Sequence, residues 1–257
     1  MQRLKERPYY TRIALLGIAM YLFIELVILL VTLVFEPSEW AYACIVGGIA
    51  GAVGAAIYFV RPWGLIVGVL FGLLGILFAM DGLGDNLSSP SSFLDFAYRP
   101  VVGLAAAIFV LGGSSADLIQ HFRGRTSTSG PAIVTRAVGG VLGLVAILAI
   151  FSAVLTVAGV NGLSAADKQG ATTITAHVTK YDVDTLTAAA DGTTRFVFKN
   201  DDPIIHTFTI AALNIDVKVG PRSETLFELT SPKPGTYDFY CRISGHEEQM
   251  HGTLTVP

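Results

Sequence analysis

The sequence predicts an α-helical transmembrane bundle of about five helices, followed by an all-β sandwich. Three observations predict it. Five long apolar runs with little charge fill residues 1–160, the apolar period shifts to two after residue 171, and a small, polar stretch separates the two regimes. A length of 257 residues allows two domains and few more. The chain is 52% hydrophobic and 14% charged, where soluble domains carry about a quarter charged residues. The average therefore conceals a greasy N-terminal part.

The apolar runs lie at 13–35, 41–60, 63–80, 101–120 and 137–160. A helix needs about 20 such residues to cross the hydrocarbon core, and a backbone in lipid must satisfy its own hydrogen bonds. The first run is interrupted only by Glu25; the fourth weakens after Ser114, with Asp117 and His121 near its end. The first run is read as a span, because it is too long for a cleaved leader and no small-residue cleavage site follows it.

Cations in the short loops set the orientation. Arg3, Lys5, Arg7 and Arg12 precede the first run, Arg61 lies between the second and third, and Arg123, Arg125 and Arg136 lie between the fourth and fifth. The alternate loops hold Glu36, Glu39, Asp81, Asp85 and Asp95, with Arg99 as their only cation. The expectation is a multi-pass cell-membrane protein with a cytoplasmic N-terminus and an extracytoplasmic C-terminal domain. Trp40, Tyr42, Tyr58 and Trp63 fall at span ends, where amphipathic rings favour the interface. Three glycine series, Gly47/Gly51, Gly64/Gly68/Gly72 and Gly139/Gly143, have the spacing of close helix packing within one chain or between copies. Glu25 is an ionisable group at membrane depth, to be read as functional or as hydrogen-bonded to a neighbouring helix. Asp117 and His121 are expected near the cytoplasmic interface.

Residues Asn161–Ala171 form the linker, and a β-domain covers 172–257. Seven short β-branched or alternating segments follow: 172–181, 194–199, 206–211, 215–219, 224–230, 236–241 and 252–256. Asp191-Gly192, Asp202-Pro203, Gly220-Pro221 and Pro234-Gly235 punctuate them. This density of strands suggests a sandwich.

The chemistry sits near the C-terminus. Cys241, His246 and Met250 share one loop between two segments, and His206 lies upstream in Asn200-Asp-Asp-Pro-Ile-Ile-His. Singly, such residues mean little; a buried cysteine is commonly inert packing. Together, a thiolate, two imidazoles and a thioether make the ligand set of a type 1, or blue, copper site, with methionine as the weak axial ligand. One copper ion cycling between Cu(I) and Cu(II) is the cofactor this set predicts. Zinc fits less well, since structural zinc sites take more thiolates or imidazoles.

On these residues the C-terminal domain resembles the cupredoxins of the plastocyanin and azurin type. The Cys-x4-His-x3-Met spacing is that of azurins. The approach Pro234-Gly-Thr-Tyr-Asp-Phe-Tyr-Cys241, the closing Gly252-Thr-Leu-Thr-Val256 and the lead-in from Asn200 to His206 also match. The resemblance covers about residues 172–257 and leaves the membrane part unidentified. It implies an eight-stranded Greek-key sandwich with the metal near one end, His206 and Cys241 deep and His246 nearer the surface. Thr207 stands where many relatives have an asparagine that braces the ligand loop, a role a threonine hydroxyl can serve. Ser244 stands where relatives often have proline.

The function expected is one-electron transfer on the extracytoplasmic side, with membrane or extracytoplasmic redox proteins as partners and lipid around the helices. The alternative is a copper transport or sensing protein. No catalysis is expected, because this ligand set leaves no open coordination position. The net charge of −3 argues against nucleic acid, and oligomers are compatible with the glycine series. One cysteine in the β-domain excludes a binuclear copper centre bridged by two thiolates, and five histidines in the chain are too few for a multicopper oxidase. His177 is expected at the surface, and His251 as a spare ligand only if the loop shifts. Ile204, Ile205, Ile243 and Met250 are expected to form an apolar docking patch around His246.

Overall fold

A computed structural model describes residues 2–35, 40–158 and 162–257. Glu36, Glu39, the end of the fifth run at 160 and the first linker residue Asn161 lie outside the described residues, as do the side chains of Arg3, Tyr42 and Arg99. Two compact units emerge, one of Met1–Leu83 with Phe96–Phe151, the other of Gly84–Asp95 with Ser152–Pro257.

The apolar runs are helical. A short α1 (Gln2–Lys5) precedes α2 (Tyr9–Phe35), α3 (Trp40–Phe59), α4 (Trp63–Met80) and the brief α5 (Leu83–Leu87). A π-helical stretch at Phe93–Gly103 leads into α6 (Leu104–Phe122), and α7 is Ala132–Ala158. Among the described residues, four helices are long and apolar enough to cross a membrane; the apolar part of α3, Ala43–Phe59, is shorter. The fourth run starts earlier than the expected 101, because Asp95 and Pro100 break the apolar pattern without breaking the helix. Pro100 donates no amide hydrogen and cannot continue an α-ladder, and the wider π turn accommodates it.

In the helical unit, α2 packs on α3 and α6, and α4 on α3 and α6. Gly64 lies against the Ala56 carbonyl and Gly72 against the Leu111 backbone, so a methyl group at either would collide. Among the described residues, a methyl group added at Gly139 or Gly143 would meet nothing within 4 Å. Glu25 is buried and accepts a hydrogen bond from the Tyr98 hydroxyl at 3.0 Å. Asp117 finds its partners within the helical unit. It is fully buried, takes a hydrogen bond from Thr11 and pairs with Arg61 at 2.9 Å. A carboxylate excluded from water requires such partners. His121 is exposed.

The β-unit has eight strands among its described residues. They are β1 (Thr172–Ala176), β2 (Thr185–Thr187), β3 (Thr193–Asn200), β4 (His206–Ile210), β5 (Ile215–Val219), β6 (Glu224–Thr230), β7 (Gly235–Tyr240) and β8 (His251–Val256). One sheet has the order β1-β3-β6 and the other β2-β8-β7-β4-β5. The first predicted segment, 172–181, is not one strand. It turns at Val178 and Thr179, both at positive φ (51° and 53°), where β-branched residues are strained. The three-residue β2 lies in no predicted segment, being too short to show a period. The 161–171 stretch is tied down where it is described: Leu163 donates to Glu224 at 2.9 Å, and Lys168 reaches the same carboxylate at 2.6 Å.

Between the sheets Phe196, Phe198, Phe208 and Phe239 are fully buried. Tyr181 meets the rings of Phe198, Phe208 and Phe239 edge-on at 5.5–6.0 Å, a favoured aromatic geometry. Replacing Phe198 with Ala should lower the stability of the β-unit by about 3–5 kcal/mol, read as a downward shift in its unfolding midpoint; a change below about 1 kcal/mol would contradict the core described here.

Candidate metal centre

Sheet register brings the predicted residues together. His206 opens β4, and Cys241 follows the last residue of β7, the neighbouring strand, with Thr209 opposite Tyr240. From Cys241 the chain loops through His246 to Met250 and enters β8. The Cys241 amide donates to the Met250 carbonyl, and the Met250 amide to the His246 carbonyl, each at 2.9 Å. The loop is thus closed on itself before any side chain acts.

The Cys241 sulfur lies 4.0 Å from His206 Nδ1 and 3.6 Å from His246 Nδ1. One ligand atom from each of these three residues falls within 4.8 Å of the others. First-row ions bind nitrogen and sulfur at about 2.0–2.3 Å, so one ion can touch both nitrogens and the sulfur. His206, Cys241 and Met250 are fully buried and His246 is partly exposed, the gradient of depth the resemblance implies. His251 points elsewhere, its Nδ1 3.2 Å from the Glu247 carbonyl, and His177 has a 68% exposed side chain.

Electrostatics favour a thiolate. Burial alone raises the Cys241 thiol, but hydrogen bonds from His206, His246 and the Thr207 and Ile243 amides outweigh it and bring the pKa down to about 5. Burial likewise opposes charge on His206, yet Asp202 and the Cys241 sulfur raise its pKa to about 9. Asp202 is a member of the site that the sequence pattern does not reveal. Its carboxylate lies 2.7 Å from His206 Nε2, which leaves Nδ1 to face the sulfur, as a second partner orients an imidazole at metal sites. Its oxygens also accept the Val178 and Thr179 amides, at 2.8 and 3.1 Å. Burial works against the Asp202 anion, but these bonds hold its pKa below the ordinary carboxylate value. The strained turn and His206 therefore share one anchor. The only signal for it in the sequence is an acid four residues before the histidine, with no period to show that it is buried.

Asn200 clamps the same loop, donating to the Ile204 and Gly220 carbonyls at 2.7 and 2.9 Å and accepting the Asp202 amide at 2.9 Å. Thr207 fills the bracing role. Its amide donates to the Cys241 sulfur at 3.4 Å, and its hydroxyl oxygen accepts the Arg242 amide at 2.9 Å. The apolar patch expected around His246 loses two of its four members. Ile205 and Met250 are fully buried in the body of the unit, leaving the partly exposed Ile204 and Ile243.

Residues 144–256 match the family model of the cupredoxin-like domain. The C-terminal domain is cupredoxin-like. No curated protein matches the chain. Among solved structures, dithionite-reduced auracyanin from the photosynthetic bacterium Roseiflexus castenholzii is 22% identical, over 37% of this chain and 99% of that one, with a TM-score of 0.31. Auracyanin A, a "blue" copper protein of Chloroflexus aurantiacus, is 20% identical over 33% and 96%, with a TM-score of 0.28. A chain of a heme-copper terminal oxidase dimer is 18% identical over 48% and 99%, with a TM-score of 0.31. The family match begins at residue 144 and leaves most of the helical part unidentified.

The donor set of the cupredoxin-like domain suits copper: a thiolate and two imidazoles converge beside a buried thioether-bearing residue. The same charges govern the metal-free domain. Between about pH 5 and 6.5 the unfolded chain binds a Cys241 proton that the folded chain lacks, so stability rises with pH. From there to about pH 9 the folded chain holds a His206 proton that the unfolded chain has lost, and the two slopes cancel. Thermal unfolding of metal-free protein should climb over the first window and level in the second. A continued climb to pH 9 would exclude the thiolate–imidazolium pair.

Proposed function

We propose that this chain is a membrane-anchored type 1 copper protein that transfers single electrons on the extracytoplasmic side. One observation carries the reading: the convergence of His206, Cys241 and His246 on a common point in a cupredoxin-like domain. In this reading His206, Cys241, His246 and Met250 hold one copper ion, which supplies a one-electron Cu(I)/Cu(II) couple when bound. The Cys241 thiolate favours the reduced ion and offers electrons a covalent route. Asp202, Asn200 and Thr207 keep the ligands in place between oxidation states, and His246, the partly exposed ligand, is the exchange edge. The protein acts as a carrier and not as a catalyst.

The apolar helices support anchoring, and the excess of Lys and Arg before α2 and in alternate loops supports a cytoplasmic N-terminus. Lipid surrounds the helices, and the partners are membrane or extracytoplasmic redox proteins. A second reading, copper transport or sensing, draws on the size of the helical unit, which exceeds what an anchor needs, and on Glu25 buried inside it. It predicts copper exchange with the medium, where electron transfer predicts retention.

The test is a visible and EPR spectrum of the full chain with one equivalent of Cu(II). An intense blue thiolate-to-copper band with narrow hyperfine splitting is expected, lost in Cys241→Ser. Met250→Leu should keep copper and raise the reduction potential; an unchanged potential would remove Met250 from the ligand set. A colourless product with the native chain would overturn the copper reading.

A further inference from the structure

We propose that the segment Gly84–Asp95 is a working part of the metal centre, and that Asp95 is a positioning residue for His206. The inference rests on the copper reading above. The segment lies far from the ligands in sequence but belongs to the same compact unit. Its polar groups converge on residues that flank the ligands. Ile205, directly before His206, is fully buried, and its amide donates to Asp95 Oδ2 at 2.8 Å. Arg242, directly after Cys241, pairs with Asp85 at 2.5 Å while also holding Asp216 at 2.8 Å. Lys218, opposite Thr207 in the β4–β5 register, donates to the Ser88 hydroxyl at 2.6 Å.

Asp95 is itself fixed. The Ser92 hydroxyl donates to the same oxygen that receives the Ile205 amide. The segment is then tied to the end of α7: the Phe93 amide donates to Thr156 Oγ1 at 3.1 Å, and the Ser152 and Thr156 hydroxyls donate to the Pro90 and Ser91 carbonyls at 2.8 and 2.7 Å. These bonds hold the acceptor still, so the Ile205 amide has one direction available. His206 follows it by one residue, and its ring plane inherits that constraint from the backbone, as Asp202 imposes it from Nε2. The β-strands alone would leave the Ile205 amide buried without a partner, which is costly. Outer bonds of this kind tune metal affinity and ligand orientation.

The experiment uses the full chain in detergent, loaded with one equivalent of Cu(II), as Asp95→Ala and Asp95→Asn. Asparagine keeps an acceptor oxygen for the Ile205 amide; alanine does not. Asp95→Ala should release copper to a chelator about tenfold faster, within the range that loss of a bond behind a metal ligand produces, and shift both the thiolate-to-copper band and the copper hyperfine splitting. Asp95→Asn should restore the band and the release rate. A merely structural role would lower the unfolding temperature and leave the spectrum alone. Should Asp95→Ala fail to fold, Asp85→Asn loosens the Arg242 contact at the surface and should move the same band. Native spectra and release rates in both Asp95→Ala and Asp85→Asn overturn the proposal. If the native chain binds no copper, the parent reading fails instead. The brace is then read from hydrogen exchange of the Ile205 amide, slow in the native chain and faster in Asp95→Ala if the proposal holds, equal in both if it does not.

Discussion

A sulfur anion inside a hydrophobic core is the constraint on which the C-terminal domain turns. Cys241 has no contact with solvent and packs among the rings that fill the sandwich. Its charge is tolerable there because two imidazoles and two backbone amides face it. The compensation has to be compensated in turn. His206 is also buried, and its charge is met by Asp202, whose own charge is met by amides of the Val178–Thr179 turn. An alternating series of negative, positive and negative groups thus runs through the core, each member stable only beside the next. The left-handed conformation of two β-branched residues is one cost of that arrangement.

The helical unit obeys the same rule with different means. Asp117 is paired with Arg61 and Thr11 where helices meet, and Glu25 takes a hydroxyl from Tyr98. Around these polar contacts the packing depends on absent side chains. Gly64 and Gly72 let α4 lie against α3 and α6 at backbone distance, and Gly68 sits on the Ser114 and Ile57 side chains, which is what small residues contribute when no water is expelled by association.

Much of this architecture is legible in the amino-acid sequence alone. Apolar runs mark helices because the pattern is long and uniform, and the four candidate ligands stand out because their chemistry is shared and their spacing tight. What the sequence hides has a common cause. Asp202 and Asn200 look like ordinary turn residues, and only tertiary burial converts them into anchors. Asp85 and Asp95 look like loop charges, and nothing local to them signals contact with residues 205 and 242. The start of the fourth helical stretch is invisible to hydropathy because Asp95 and Pro100 interrupt a signal that the backbone, by widening its turn, does not need. Ile205 and Met250 suggest a surface patch because they are apolar, the first adjoining a candidate ligand and the second being one, whereas here they belong to the core.

The adjacency of β4 and β7 bears on how this domain can vary. His206 and Cys241 are held apart by the register that sets Thr209 opposite Tyr240, and β4 is buried along its whole length. Side chains alternate faces along a strand, so one residue gained or lost within 207–209 or 235–240 would turn His206 or Cys241 away from its partners. The turn at Ala211–Leu213, by contrast, contributes no buried side chain. Length polymorphism among descendants of this sequence should therefore collect at the far end of the β4–β5 hairpin and spare the strand segments that lead to His206 and Cys241.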